Sequence, residues 1–138
     1  MLWVAFEMFA TVRRYSTNGD LQMEVEVPNP IMKRKAELNR KRIAMRTAST
    51  QVPYAVVQAG IFADADGLYT FVPNPIIEIV HVGNDGKLKN MFWREREQDS
   101  YMLGLLVQKD SGTPSFFLIH RLPRRSIDIF KLKEQKRT

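Results

Sequence analysis

From Leu68 onward, runs rich in β-branched and aromatic residues are cut at short intervals by clusters of glycine, asparagine, aspartate, serine and proline. That alternation constrains the fold more than composition does. Each run is too short for a stable helix, and each cluster holds the residues that close a hairpin. Turns are expected at Asp64-Ala65-Asp66-Gly67, at Gly83-Asn84-Asp85-Gly86, at Glu97-Gln98-Asp99-Ser100, at Asp110 to Pro114 and at Pro123-Arg124-Arg125. Strands are expected between them over 68–72, 76–82, 88–96, 101–108, 115–122 and 126–133. Consecutive hairpins make a β-meander. Short strands at this spacing predict a curled sheet or a small β-barrel, because closure removes exposed sheet edges.

The N-terminal region follows the same rules with weaker alternation. Leu2, Val4, Phe6, Met8 and Val12 predict a strand over 2–14, and Asn18-Gly19 predicts the turn that returns it over 21–27. Both turn residues tolerate the positive φ that a type I′ hairpin needs. The opening run is apolar enough to suggest a leader, but it lacks a basic start and carries Glu7, so a strand fits it better. Residues 53–62, with valine and aromatics, predict a further strand.

Between these β regions lies a different kind of segment. Pro28 and Pro30 redirect the chain, Asn29 can cap a helix, and Pro30 then stands at the first helical position, where a missing N–H costs nothing. A run of Lys, Arg, Ala, Leu, Met and Glu without glycine follows, predicting one helix over about 30–47. At 100° per residue, Ile31, Leu38 and Met45 form one apolar stripe and Met32, Ala36 and Ile43 a second, with Lys35, Arg42 and Arg46 between them. No broad buried face results, so shallow packing with snorkelling basic stems is expected. The pentapeptide Val-Pro-Asn-Pro-Ile occurs at Val27 and again at Val72, but its flanks differ and it is read as one turn device used twice.

The expected fold class is therefore α+β, mainly antiparallel β, in a single domain over 1–138. It carries one basic helix near the N-terminus and a basic C-terminal tail over about 131–138. A chain of 138 residues can bury one core of its own. No apolar stretch approaches the roughly 20 residues of a membrane-spanning helix. With no cysteine, disulfides, thiolate metal sites and a cysteine nucleophile are excluded, and a reducing, intracellular setting is the expectation.

The formal net charge of +6 is segregated. Lys33, Arg34, Lys35, Arg40, Lys41, Arg42 and Arg46 face only Glu37 within the helical segment, while Arg121, Arg124 and Arg125 lead into the basic C-terminal stretch. Segregation costs self-repulsion unless an anionic partner or the acidic remainder offsets it. The expected function is that of a non-enzymatic nucleic-acid-binding protein, DNA or RNA, holding phosphates through both segments, with Phe92 and Trp93 as candidate stacking platforms. The alternative is an interaction or assembly protein, such as a virus or mobile element encodes, docking its basic helix on an acidic protein surface; self-association into a homo-oligomer is compatible with either.

Catalytic and metal signatures are weak. Asp64, Asp66 and Glu78 would suit a magnesium site if assembled, yet Asp-x-Asp-Gly is also an ordinary turn. His81 and His120 have no third ligand type at a fixed offset and are read as structural. Gly83 to Gly86 precedes a strand and so lacks the helix N-terminus of a phosphate loop. No catalytic residue, metal ligand or cofactor is assigned.

Overall fold

A computed structural model of the chain describes residues 1–47, 53–73, 76–94, 101–110, 113–122 and 125–131, without the side chains of 101–103, 120–122, 130 and 131. Ten strands and one helix occur among these residues: β1 (Leu2–Ala5), β2 (Thr11–Tyr15), β3 (Leu21–Glu26), α1 (Pro30–Ala44), β4 (Ala59–Asp64), β5 (Gly67–Val72), β6 (Ile77–Gly83), β7 (Leu88–Arg94), β8 (Tyr101–Asp110), β9 (Thr113–Leu122) and β10 (Ser126–Lys131). All pairings are antiparallel. The strands form three sheets, ordered β1-β2-β3, β4-β5-β6-β7 and β10-β9-β8.

The second of these is the middle layer, and β5 and β6 show why. Side chains alternate across a strand, yet both strands are apolar on both sides, so each face must find a cover. Leu68 and Val72 of β5, with Val80 and Val82 of β6, join Trp3, Val12, Val27, Met32, Ala36 and Val57 in one core. Tyr69, Phe71, Ile77 and Ile79 point the other way and meet Leu105, Val107, Phe116 and Leu118 of β8 and β9. The middle sheet is thus covered by β1–β3 and α1 on one face and by β8–β10 on the other.

The expected barrel is not formed: the three sheets remain open. A small barrel buries only the inward face of each strand, whereas β5 and β6 present two apolar faces. The meander accordingly breaks between β7 and β8, and the last three strands fold back as a separate layer. The β4 edge of the middle sheet approaches the β8 edge of the last one closely. Gly60 of β4 has φ +65°, and a Cβ there would come within 3.3 Å of the Gly104 Cα and 2.8 Å of the Phe71 ring. Glycine at position 60 permits that backbone approach.

The N-terminal run also differs from expectation. Instead of one strand over 2–14, the chain turns between β1 and β2, where the Phe9 N–H donates to the Phe6 carbonyl. Carbonyls exposed by this turn are taken up by groups far along the chain. The Gln58 Nε2 donates to the Phe6, Phe9 and Thr11 carbonyls at 2.9–3.1 Å, and the Val57 N–H donates to the Glu7 carbonyl at 2.8 Å. The Asn39 side chain donates to the Met8 and Ala55 carbonyls and accepts from the Ala55 N–H. A turn held by remote amides leaves no local signal.

Asn29 caps α1 as its side-chain oxygen accepts from the Met32 N–H at 2.9 Å, and its amide nitrogen donates to Glu78 Oε2 at 2.6 Å. The cap therefore also ties the helix to β6. Residues Asn29, Asn39 and Gln58 are all buried with relative exposure of 2% or less. Each is affordable inside only because its amide is hydrogen-bonded.

Candidate functional site

The cations on α1 divide into two groups. Lys35 donates to the Val56 carbonyl at 3.2 Å, Arg42 to the Pro53 carbonyl at 2.8 Å, and Arg46 reaches the Tyr54 hydroxyl at 3.5 Å. These three hold the segment that follows the helix, with their stems lying along it as snorkelling side chains do. Lys33 pairs with Glu26 at 3.1 Å, both well exposed. Lys41 and Arg42 in the last turn also suit the negative end of the helix dipole.

The second group is exposed. The helix buries Met32, Ala36 and Asn39, so the stripe opposite faces outward. At 100° per residue that outward stripe is Arg34, Leu38, Lys41 and Met45, all within about 60° of arc. Leu38 is 42% and Met45 70% exposed. Of the two apolar stripes seen in the sequence, Met32 and Ala36 of one face the core while its Ile43 is exposed, and Leu38 and Met45 of the other face out while its Ile31 packs against the core. Arg40 lies beside this stripe with its guanidinium over the Phe9 ring at 6.0 Å.

The remaining candidate residues lie elsewhere. Arg125 is exposed immediately before β10, in the layer across the middle sheet from α1. The Arg121 side chain, Arg124 and residues 132–138 of the basic tail lie outside the described residues. The helix and the β9–β10 region thus do not share one groove wall. Phe92 and Trp93 point to opposite faces of β7: Phe92 packs on Phe116 with ring centroids 4.8 Å apart, whereas Trp93 is 54% exposed. The crevice beside Phe92 and Phe116 has a volume of about 10 Å³, room for one water and no base.

Of the carboxylates suggested for a metal, Asp64 and Asp66 share one turn and Glu78 is held elsewhere. Asp64 Oδ1 accepts from the Asp66 and Gly67 N–H groups at 2.8 and 3.2 Å, the expected turn. Lys109 bridges the pair, 2.7 Å from Asp64 and in direct contact with Asp66. Glu78 is engaged by Asn29 instead. The Lys109 ammonium pairs with both aspartates, and no group of three metal-ligating side chains occurs among the described residues. Burial raises the Asp64 carboxyl, but Lys109 and then the turn bonds outweigh it and hold the group below its usual range.

His81 stacks on Tyr69 at 4.1 Å with the rings 7° from parallel. It is buried, and neither ring nitrogen has a hydrogen-bond partner. Burial, followed by the nearby Lys109 charge, pushes its pKa below the usual histidine value. The ring is therefore neutral at pH 7 and serves as an aromatic plate in the core. The His120 side chain lies outside the described residues.

The sequence marked Asn29 as a helix cap, whereas Asn39 and Gln58 were not singled out. Asn29 had a local cap signal, but Asn39 and Gln58 had none, because their partners are at least 12 positions away. No helix among the described residues is long and apolar enough to cross a membrane. Comparison with protein-family models, curated proteins and solved structures found no match for this chain. Function has to be read from these residues alone.

Proposed function

We propose that this protein is a non-enzymatic interaction module whose outer helix face docks on an acidic, partly apolar protein surface. The observation that carries this reading is the stripe Arg34, Leu38, Lys41 and Met45, in which cations and exposed apolar side chains alternate on one face of α1. A partner groove with an apolar floor and carboxylates on its rim complements that pattern. A phosphate backbone gives Leu38 and Met45 nothing to pack against.

Nucleic-acid binding is the second reading, favoured by Arg34, Arg40 and Lys41, which stay exposed on adjoining faces of the helix. It is weakened by two features: four of the seven helix-region cations are engaged within the chain, and α1 lies across the middle sheet from β9–β10.

Fluorescence anisotropy with two labelled probes separates the readings: a helical peptide carrying Glu and Leu on one face, and a mixed-sequence DNA duplex. Docking predicts that the peptide binds and that Leu38→Ser with Met45→Ser weakens it about tenfold or more. Phosphate binding predicts instead that the duplex binds more tightly than the peptide and ignores those two changes. It further predicts that Arg34→Gln, Arg40→Gln and Lys41→Gln together flatten the logarithmic salt slope by roughly two to three units. Tight duplex binding with that signature would overturn the docking reading.

A further inference from the structure

The outward stripe of α1 has a seven-residue repeat. Leu38 and Met45 are seven positions apart, as are Arg34 and Lys41, and all four side chains are exposed. Alternate steps of four and three residues are those of a coiled-coil seam, where a narrow stripe meets one neighbouring helix. Ile31, one repeat earlier, packs against the core, so the exposed seam begins at Arg34. It ends at Met45, the C-terminal cap of the helix. One flank is filled by the following chain, because Lys35 and Arg42 donate to the Val56 and Pro53 carbonyls. Glu37 and Ala44 stand exposed on the other flank. Neither Arg34 nor Lys41 enters an ion pair among the described residues.

Given the docking role proposed for this face, we infer that its occupant is an acidic helix with the same seven-residue repeat. Apolar side chains of that helix lie opposite Leu38 and Met45, and its carboxylates lie opposite Arg34 and Lys41. The spacing favours a helix over a strand. From Arg34 to Leu38 to Lys41 to Met45 the stripe rises by about 6, 4.5 and 6 Å, and a second helix repeats those steps in its own seam. A strand presents one face every second residue, about 6.6 Å apart, and over three steps it overshoots the stripe by about 3 Å.

Charge selects an acidic helix over a second copy of α1. Two copies side by side in parallel set Arg34 on Arg34 and Lys41 on Lys41. Antiparallel copies set both cations against Leu38 and Met45, which leaves the charges without counter-ions. A helix bearing glutamate or aspartate at every second seam position satisfies both the cations and the apolar pair. A seam of three turns is smaller than a standard interface, so reversible binding in the micromolar range is expected.

Fluorescence anisotropy with the full chain and two labelled peptides tests this. The first peptide, about 21 residues long so that it forms a helix, carries Leu at the first and Glu at the fourth position of each heptad, with Ala and Gln elsewhere. The second keeps every Leu and Glu but has proline at two outward positions, which breaks the helix. The helical peptide should bind about tenfold or more tightly than its proline variant. Lys41→Glu should weaken binding by about tenfold or more, and a peptide with Lys in place of Glu should restore it on that protein. Arg34→Glu, at the other end of the seam, should act in the same way, and both changes should leave the circular dichroism spectrum unchanged. Equal binding of the two peptides, lost in both cases with Leu38→Ser and Met45→Ser, overturns the helical occupant while the docking face stands. Failure of the charge exchange to restore binding overturns the pairing of carboxylates with Arg34 and Lys41. If neither peptide binds in the micromolar range, the docking role itself fails and the acidic helix with it.

Discussion

The two faces of the middle sheet are covered in different ways. On the side of α1 and β1–β3, an aliphatic core is threaded by three buried amides, which fix where the helix, the N-terminal turn and residues 53–58 meet. On the side of β8–β10 the contact is aromatic: Tyr69 lies edge-on to Phe116 at 6.0 Å, Phe92 packs on Phe116, and Tyr69 stacks on His81. At one end of it Lys109 joins Asp64 and Asp66. A cover that includes a helix and irregular chain has backbone groups to satisfy, and side-chain amides do that. A cover made of one sheet satisfies its own backbone and needs only shape.

This contrast predicts unequal responses to substitution. The largest loss is expected for Phe116→Ala, since Phe116 is fully buried between Tyr69, Phe92 and the β8 residues; about 3–5 kcal/mol in urea unfolding is the expected cost. Gln58→Leu should cost about 3 kcal/mol, not through lost volume but because the Phe6, Phe9 and Thr11 carbonyls and the Thr70 hydroxyl lose a partner. If Gln58→Leu proves neutral, the amide does not specify that interface.

His81 supplies a pH-dependent test of the aromatic side. Its folded pKa lies below the unfolded value of about 6.5, so the unfolded chain takes up a proton first as pH falls. Stability contributed by the neutral ring is complete above that value and is lost as pH drops from it toward the folded pKa. The slope attributable to this one site is at most about 1.4 kcal/mol per pH unit. His81→Leu should remove that component from urea midpoints measured between pH 7 and pH 5, and an unchanged slope would show that the ring finds a proton-stabilising partner. The smallest effect is expected for Asp64→Asn with Asp66→Asn. Asparagine retains the turn bonds, and the partly exposed ion pairs with Lys109 are worth about 1 kcal/mol or less.

The hairpins β6–β7, β8–β9 and β9–β10 were legible in the sequence because their determinants are local. By contrast β7 and β8, expected to be consecutive strands of the meander, do not pair, and the turn expected at Glu97 to Ser100 lies outside the described residues. Asp64-Ala65-Asp66-Gly67 closes as expected, and a Cβ at Gly67 would lie 2.1 Å from the Val82 carbonyl oxygen. The helix start was equally legible, since Asn29 and Pro30 sit at neighbouring positions and act within the first turn. Layering was not legible. Alternation shows that β5 and β6 are apolar on both faces but does not say whether a barrel wall or two separate covers satisfy them. Nor could charge counting separate Arg34 and Lys41, which face outward, from Lys35 and Arg42, which hold the Val56 and Pro53 carbonyls. That difference depends on which helix stripe the sheet accepts, and two stripes competed for it.

Native-state hydrogen exchange of the Phe116→Ala protein tests most directly whether the middle sheet carries two separately specified covers. Independent covers predict that amides of β8 and β9 lose protection by about 100-fold more than those of β5 and β6 and of α1, because the aromatic layer opens while the amide-pinned layer stays closed. A uniform loss across β5, β6, α1, β8 and β9 would show a single cooperative core and contradict the distinction between the two faces.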